Sequence, residues 1–299
     1  MKPAVKYEAV ENIKTSLFPA VGTRERGQLS NCTLQDIMKR QGVVMLTTTN
    51  LGYLDLSLNM LASIRKVGVC VNTTIIAEDK TVYKYLRSKA EGDPAVHVVM
   101  TNSGEVQSRE VWSKDFINYF GLLKKRQRYF LSLLKQGLEV LFTDSDTFWF
   151  SDPFPYFQGD FDMSMVDQKS PYPTRALNAS YCAGFIYLRP TNTTLQFVRK
   201  WIMSLEGKNI MDQFVMNRLL RADQPVHVKV HPLDIHLFPS GPKFYQLLEQ
   251  NANYSAVVMH AASIHGHAAK VAKFRSSNMW LVNGTSEELL AREHSLHDN

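Results

Sequence analysis

No run of about 18 consecutive apolar residues occurs in this sequence, which argues against a transmembrane helix within it. The chain also does not open with the charged and apolar regions of a signal peptide, so an anchor or targeting signal is expected to be absent from this chain. Cysteine is scarce. Cys32, Cys70 and Cys182 allow at most one disulfide, leave one thiol over, and leave the redox compartment open. The net charge is +6, yet no stripe interleaves basic with aromatic residues, so nucleic acid is not an expected partner. The densest basic cluster, Lys124 to Arg128, falls in a helical pattern and reads as a solvated face. There is no internal repeat and no linker that would split the chain. The 44 % hydrophobic and 21 % charged composition is that of a globular protein, with length for one large domain or two small ones.

Six N-x-S/T sequons are present, at Asn31, Asn72, Asn178, Asn192, Asn253 and Asn283, and together they point towards a secretory-pathway lumen. Along the chain, strand and helix patterns alternate. Val43 to Thr47 reads as a strand, Leu54 to Val67 as an amphipathic helix, Thr73 to Ala77 as a strand, 80–90 as a helix and Val96 to Met100 as a third strand. A long helix follows over 113–136, ended by Gly137. Further strands are expected over Phe161 to Val166, Tyr181 to Arg189 and within 226–237, with helices over Thr194 to Leu205 and Asp212 to Leu220. Such alternation predicts an α/β layered fold with a largely parallel sheet, whose ligands sit beyond the carboxyl ends of the strands.

The chemistry concentrates at Glu139 to Pro153, E-V-L-F-T-D-S-D-T-F-W-F-S-D-P. An apolar strand ends in Asp144 and Asp146, with Ser145 between them. On an extended backbone the two carboxylates share a face, and hard oxygen ligands suit Mg²⁺ or Mn²⁺ carrying a diphosphate. A second D-x-D, Asp160 and Asp162, begins a strand and is set aside; Asp167, just past that strand, is a better candidate. Thr48 and Asn50 follow the first strand, and Asp79 follows the second. Arg126 lies on the apolar face of the long helix, where a buried guanidinium needs an anionic partner; its loss is expected to cost activity more than stability. Gly184 interrupts a strand, as at a bulge or a close ligand approach. Asp212 and Gln213 open a helix. Near the end, His260, Gly266 and Lys270 stand in a segment read as a loop, with His265 and His267 competing for the ligand role.

These pieces together resemble a retaining glycosyltransferase of the GT-A fold, most of all glycosyltransferase family 77, the nucleotide-diphospho-sugar transferases that include xylosyl- and arabinosyltransferases. The resemblance covers roughly Val43 to Trp280. It rests on V-L-F-T-D-S-D-T-F-W-F-S-D-P, on a basic residue eleven positions before Gly137 (Arg126), on A-G-F-I-Y-L-R-P-T, on D-Q-F-V-M-N from Asp212, on F-P-S-G, and on H-x(5)-G-x(3)-K from His260 to Lys270. Two departures are Cys182 and Ala262, where the family usually has asparagine. The resemblance implies a Rossmann-like three-layer α/β/α sandwich with a mixed, mostly parallel sheet, here over 43–282, with an N-terminal extension over 1–42 and a polar tail over 283–299. It implies a UDP-sugar donor, Mn²⁺ or Mg²⁺ held by Asp144, Asp146 and His260, and a glycan or glycoprotein acceptor. Thr48, Asn50, Asp79, Ser145, Gly266 and Lys270 would then meet the nucleotide. Arg126, Asp212 and Gln213 would serve the donor sugar, and the Golgi lumen is the expected location. Two alternatives remain. One is a catalytically inactive nucleotide-sugar binder of the same fold. The other is a haloacid-dehalogenase-type phosphatase, whose D-x-D-x-T/V pattern is broken here by Phe148.

Overall fold

The computed structural model describes residues 29–101, 116–168, 180–221 and 227–297. Most of the expected N-terminal extension, and residues 113–115 of the expected long helix, lie outside these. The strands are β1 Val43–Thr49, β2 Asn72–Ala77, β3 Val96–Met100, β4 Glu139–Thr143, β5 Thr147–Trp149, β6 Met163–Asp167, β7 Tyr181–Leu188, β8 Val230–Leu233 and β9 Val258–His260. Seven of them form one sheet in the order β3-β2-β1-β4-β7-β6-β8, and β5 pairs with β9 alone. Only β7 runs against the other six of the large sheet.

Alternation along the strands divides two apolar cores between the faces of this sheet. Val44 and Leu46 of β1 and Val140 and Phe142 of β4 join Phe130, Leu133, Trp201 and Met216 on one side. Those partners come from helices Phe116–Leu134, Asn192–Leu205 and Asp212–Arg221. Met45 and Leu141 turn the other way, onto Leu54, Leu61, Val82 and Leu86 from helices Leu54–Val67 and Lys80–Lys89. Strands covered on both faces read as nearly continuous apolar runs, which is what V-V-M-L and V-L-F are. The expected three layers are therefore present.

Topology locates the crevice. From β1 the chain steps outward to β2 and β3, then returns through the long helix to β4 on the other side of β1. The carboxyl ends of β1 and β4 thus flank a switch point, where open α/β sheets bind ligands. Past the large sheet, two segments pack back onto it. Cys32 and Cys70 form a disulfide that ties the segment before β1 to the loop before β2, and Cys182 remains a free, buried thiol. Helix Ser286–His297 begins at a fully buried Ser286, whose Oγ accepts the Asp55 backbone N–H at 3.2 Å.

Three details differ from the sequence expectations. The β-structure within 226–237 is limited to four residues among the described ones, and a helix, Gly241–Gln250, follows it. The segment after His260 is not a loop throughout. It enters helix His267–Ser276 at Gly266, whose φ of +84° is a conformation that side chains with a Cβ rarely adopt. The D-x-D pair is not extended either. β4 ends at Thr143, and residues 144–147 turn, with the Thr147 N–H reaching the Asp144 carbonyl at 3.3 Å.

Candidate active site

That turn is what brings the three candidate ligands together. β5 leaves the large sheet and pairs antiparallel with β9, setting Thr147 opposite His260. The Ala261 N–H donates to the Asp146 carbonyl at 3.0 Å, so His260 is held directly beside the acidic pair. His260 Nε2 lies 3.2 Å from Asp146 Oδ1 and 3.4 Å from Asp144 Oδ2. One ligand atom from each of Asp144, Asp146 and His260 falls within 4.8 Å of the others. Two carboxylates and an imidazole suit a hard or borderline divalent cation such as Mg²⁺ or Mn²⁺. Gly184 is a second sign of fit. β7 carries a register shift against β6 between Tyr181 and Ile186. There a Cβ on residue 184 would overlap Asp144 Oδ2 and the His260 ring. The strand is shaped to leave the ligand set its room.

Positive charge surrounds the pair. Lys270, in the first turn of helix His267–Ser276, hydrogen-bonds Asp146 Oδ2. Burial by itself would raise the Asp146 pKa, but the Lys270 and His260 charges outweigh it and hold the carboxyl far below the usual range. Burial likewise opposes a charged His260, yet Asp146, then Cys182 and Asp144, keep the imidazole well above its ordinary value. Lys270 is also raised, because the Asp146 carboxylate more than offsets its desolvation.

Arg126 is 7 % exposed and finds the anion that its position demands. Its Nε donates to Asp212 Oδ2, and an Nη reaches Asp144 Oδ1 at 3.4 Å. Asp212 is fully buried, and both its oxygens are engaged. Oδ2 also accepts from Gln127 Nε2 at 2.5 Å, and Oδ1 accepts from the Gln213 N–H at 2.8 Å. Burial pushes its pKa up, and Arg126 offsets that in part. The D-Q-x-x-x-N pattern has a mechanical reading on this helix. Gln213 and Asn217, four apart on one face, hold the start of β7. Gln213 Oε1 accepts from the Ala183 N–H at 3.0 Å. Asn217 accepts from the Tyr181 N–H at 2.7 Å and donates to the Tyr181 carbonyl at 2.8 Å.

Asp144, Asp146, His260, Lys270, Arg126, Asp212 and Gln213 open onto one cavity of about 390 Å³. Thr48, Asn50, Ser145 and Gly266 line it as well, with Asn50 also capping the turn at Tyr53 through its Oδ1. Asp79 does not line it. It is fully buried and caps helix Lys80–Lys89, accepting from the Val82 N–H at 2.9 Å and the Leu51 N–H at 2.7 Å. An aspartate one residue before a helix serves its free N–H groups first. Glu78, one position earlier, takes the cavity side, and sequence reasoning passed over it although it also follows β2 directly. Tyr53, Leu122, Leu123, Gln168, Met211 and Ser263 were missed too, having no motif to mark them. Asp167 is turned to the Ser180 N–H at 2.8 Å and is not among the lining residues. Of the competing histidines, His265 lines the cavity. His267 Nε2 instead sits 2.7 Å from Asp55 Oδ1 and pins the start of its helix.

The sequence matches the nucleotide-diphospho-sugar transferase family over residues 68–274. Among curated relatives is UDP-D-xylose:L-fucose alpha-1,3-D-xylosyltransferase 1 of Arabidopsis thaliana, 26 % identical over 268 residues, 82 % of this chain and 72 % of that protein. Another is the UDP-galactose:fucoside alpha-3-galactosyltransferase of Dictyostelium discoideum, 23 % identical over 273 residues, 78 % of this chain and 42 % of that one. Among solved structures, the glycosyltransferase GlyE of Streptococcus pneumoniae aligns with 85 % of this chain and 64 % of its own, with a TM-score of 0.51 and 13 % identity. That likeness shows the shared fold, GT-A.

Proposed function

The chain belongs to the nucleotide-diphospho-sugar transferase family, and from that premise we propose that it is a metal-dependent, retaining glycosyltransferase. It moves a pentose or hexose, such as xylose, galactose or arabinose, from a UDP-sugar to a hydroxyl of a glycan or glycoprotein. One observation carries this reading: Asp144, Asp146 and His260 converge at the switch-point cavity with Lys270 beside them.

In this reading Asp144, Asp146 and His260 would hold Mn²⁺ or Mg²⁺. Such a cation, when bound, supplies neutralisation of the charge that grows on the leaving diphosphate. Lys270 is a second positive charge facing that group, and a single preorganised donor of this kind is worth ~3–4 kcal/mol. Arg126 steadies Asp144 and faces the donor sugar. Gln213, with its carbonyl committed to Ala183, offers the sugar its NH₂. Thr48, Asn50, Tyr53 and Glu78 form the end proposed for the nucleoside, Glu78 replacing Asp79 in that role.

Retention proceeds either through a glycosyl-enzyme or by front-face attack. The first needs a carboxylate oxygen free to reach the anomeric carbon. Asp212 has both oxygens occupied, and Asp167 is not on the cavity wall. Those facts favour front-face attack, in which the leaving phosphate takes the acceptor proton and Asp212 serves to position Arg126.

The Cys32–Cys70 disulfide and the six sequons support a secretory-pathway lumen, with the Golgi as the proposed compartment. No helix among the described residues is long and apolar enough to cross a membrane. The test is UDP release from a panel of UDP-sugars with Mn²⁺ and fucoside or other glycoside acceptors. We expect one donor to stand out, EDTA to stop release, and NMR to find the donor's anomeric configuration kept. Tight UDP-sugar binding without turnover on any donor would instead favour an inactive binder.

A further inference from the structure

β7 meets the ligand set at two positions. Gly184 leaves space for Asp144 and His260. Two residues earlier, Cys182 is 3 % exposed, and its Sγ lies 3.4 Å from His260 Nδ1. The opposite ring nitrogen, Nε2, faces both carboxylates at 3.2 and 3.4 Å. An imidazole that turns an Nε2 lone pair to a cation carries its hydrogen on Nδ1, and the hydrogen bond made there decides the tautomer and the ring orientation. A buried N–H of this kind needs an acceptor, and Cys182 Sγ is the partner the structure gives it.

We propose, building on the metal-dependent reading above, that Cys182 is a positioning residue for the cation: its sulfur accepts the Nδ1–H of His260 and holds Nε2 toward the ion shared with Asp144 and Asp146. The other functions of a buried cysteine do not account for this placement. It has no disulfide partner, and Cys32 and Cys70 are already joined. The acceptor is a soft one. Sulfur takes hydrogen bonds weakly, whereas the asparagine that the sequence resemblance leads one to expect at this position carries an amide oxygen. The chain therefore holds its histidine by a looser tether than an asparagine would supply. The strength of this contact sets cation affinity without any contact between residue 182 and the cation.

The experiment compares the parent with Cys182→Ala and Cys182→Asn. Calorimetry measures Mn²⁺-dependent UDP affinity. Nitrogen-15 NMR of the histidine ring, in the diamagnetic Mg²⁺–UDP complex, reads the tautomer of His260. Losing an outer partner of a ligating histidine typically weakens metal binding 10–100-fold. Cys182→Ala is expected to weaken Mn²⁺-dependent UDP binding about 10-fold or more, with an unchanged melting temperature and a His260 signal no longer fixed in the Nδ1–H form. Cys182→Asn should bind UDP with Mn²⁺ more tightly than the parent and keep His260 in the Nδ1–H form. If Cys182→Ala fails to fold, Cys182→Asn decides alone: tighter Mn²⁺-dependent UDP binding than the parent supports the role, and parent-like or weaker binding overturns it. Parent-like affinity and tautomer in Cys182→Ala overturn the role of Cys182 while leaving the metal site standing. A parent that binds UDP equally with Mn²⁺ and with EDTA overturns both.

Discussion

Gly184 contributes to the site through the atoms it lacks. The sequence marked it as a bulge or a close ligand approach; β7 shifts register here, and it is Asp144 and His260 that occupy the space of its missing side chain. Gly184→Ala is expected to push the carboxylate and the imidazole apart. Mn²⁺-dependent UDP affinity should fall about 10–100-fold, a loss like those seen when metal ligands lose their support. Circular dichroism and calorimetry on the purified variant check this; unchanged affinity would mean that the ligand set is not held at this spacing. At Arg126 the structure supplies the partner that was expected and adds a consequence for stability. Its place on the apolar face of the long helix predicted an anionic partner, and Asp212 is that partner. Asp212 is also fully buried, so removing the arginine strands a buried charge. Arg126→Leu should therefore cost stability, on the order of 3–5 kcal/mol, as well as activity. Denaturant unfolding measures this directly, and a parent-like midpoint would contradict the burial argument. Adding Asp212→Leu should recover part of the stability but none of the activity.

Elements of the fold were legible in proportion to their length. Helix Leu54–Val67 falls where the periodicity put it because it buries a long apolar face, and strand Val96–Met100 falls where its apolar run put it although it is only partly buried. β5 and β9 have three residues each and pair with each other outside the large sheet, which no local pattern can announce. Their pairing nevertheless delivers His260 to the acidic turn. Helix His267–Ser276 was read as loop because glycine and two histidines at its start resemble one, and its apolar face is slight. A contact between β4 and β7 gives a test at this scale. The Tyr187 hydroxyl donates to the Glu139 carboxylate across the sheet. Burial, reinforced by Glu139, raises the phenol well above its ordinary value of about 10. A group raised on folding stabilises fully below its unfolded value, and that contribution is lost as pH climbs toward the folded one. Tyr254, pushed up to about 12 by burial and Asp234, behaves in the same way. Above pH about 10 the tyrosines should add to whatever decline in unfolding free energy His260, also raised, begins at lower pH. The decline should be shallower in Tyr187→Phe, whatever that variant loses at neutral pH. Parallel alkaline limbs in the two proteins would show that Tyr187 titrates alike in both states.

For the whole molecule, the sheet order decides where the chemistry sits. β1 and β4 are neighbours reached from opposite directions, so Thr48, Asn50, Asp144 and Asp146 meet at one crevice although nearly a hundred residues separate the two groups. Motifs in the sequence named the charged part of that crevice: the acidic pair, Arg126, Asp212-Gln213, His260, Gly266 and Lys270. What they did not reveal was geometry. The exchange of Asp79 for Glu78, the turn at Asp144–Asp146, and the apolar wall of Leu122, Leu123 and Met211 depend on packing between distant segments, which spacing along the chain does not encode. The central claim is that Asp144, Asp146 and His260 form one cation site that holds the donor's diphosphate. Calorimetric titration of UDP into the parent and into Asp146→Asn, each with Mn²⁺ and with EDTA, tests it most directly. UDP should bind the parent tightly only with Mn²⁺, and Asp146→Asn should stay folded, with some loss of stability from the unpaired Lys270, and bind weakly in both conditions. UDP binding to a folded Asp146→Asn that matches the parent and still depends on Mn²⁺ would contradict the account.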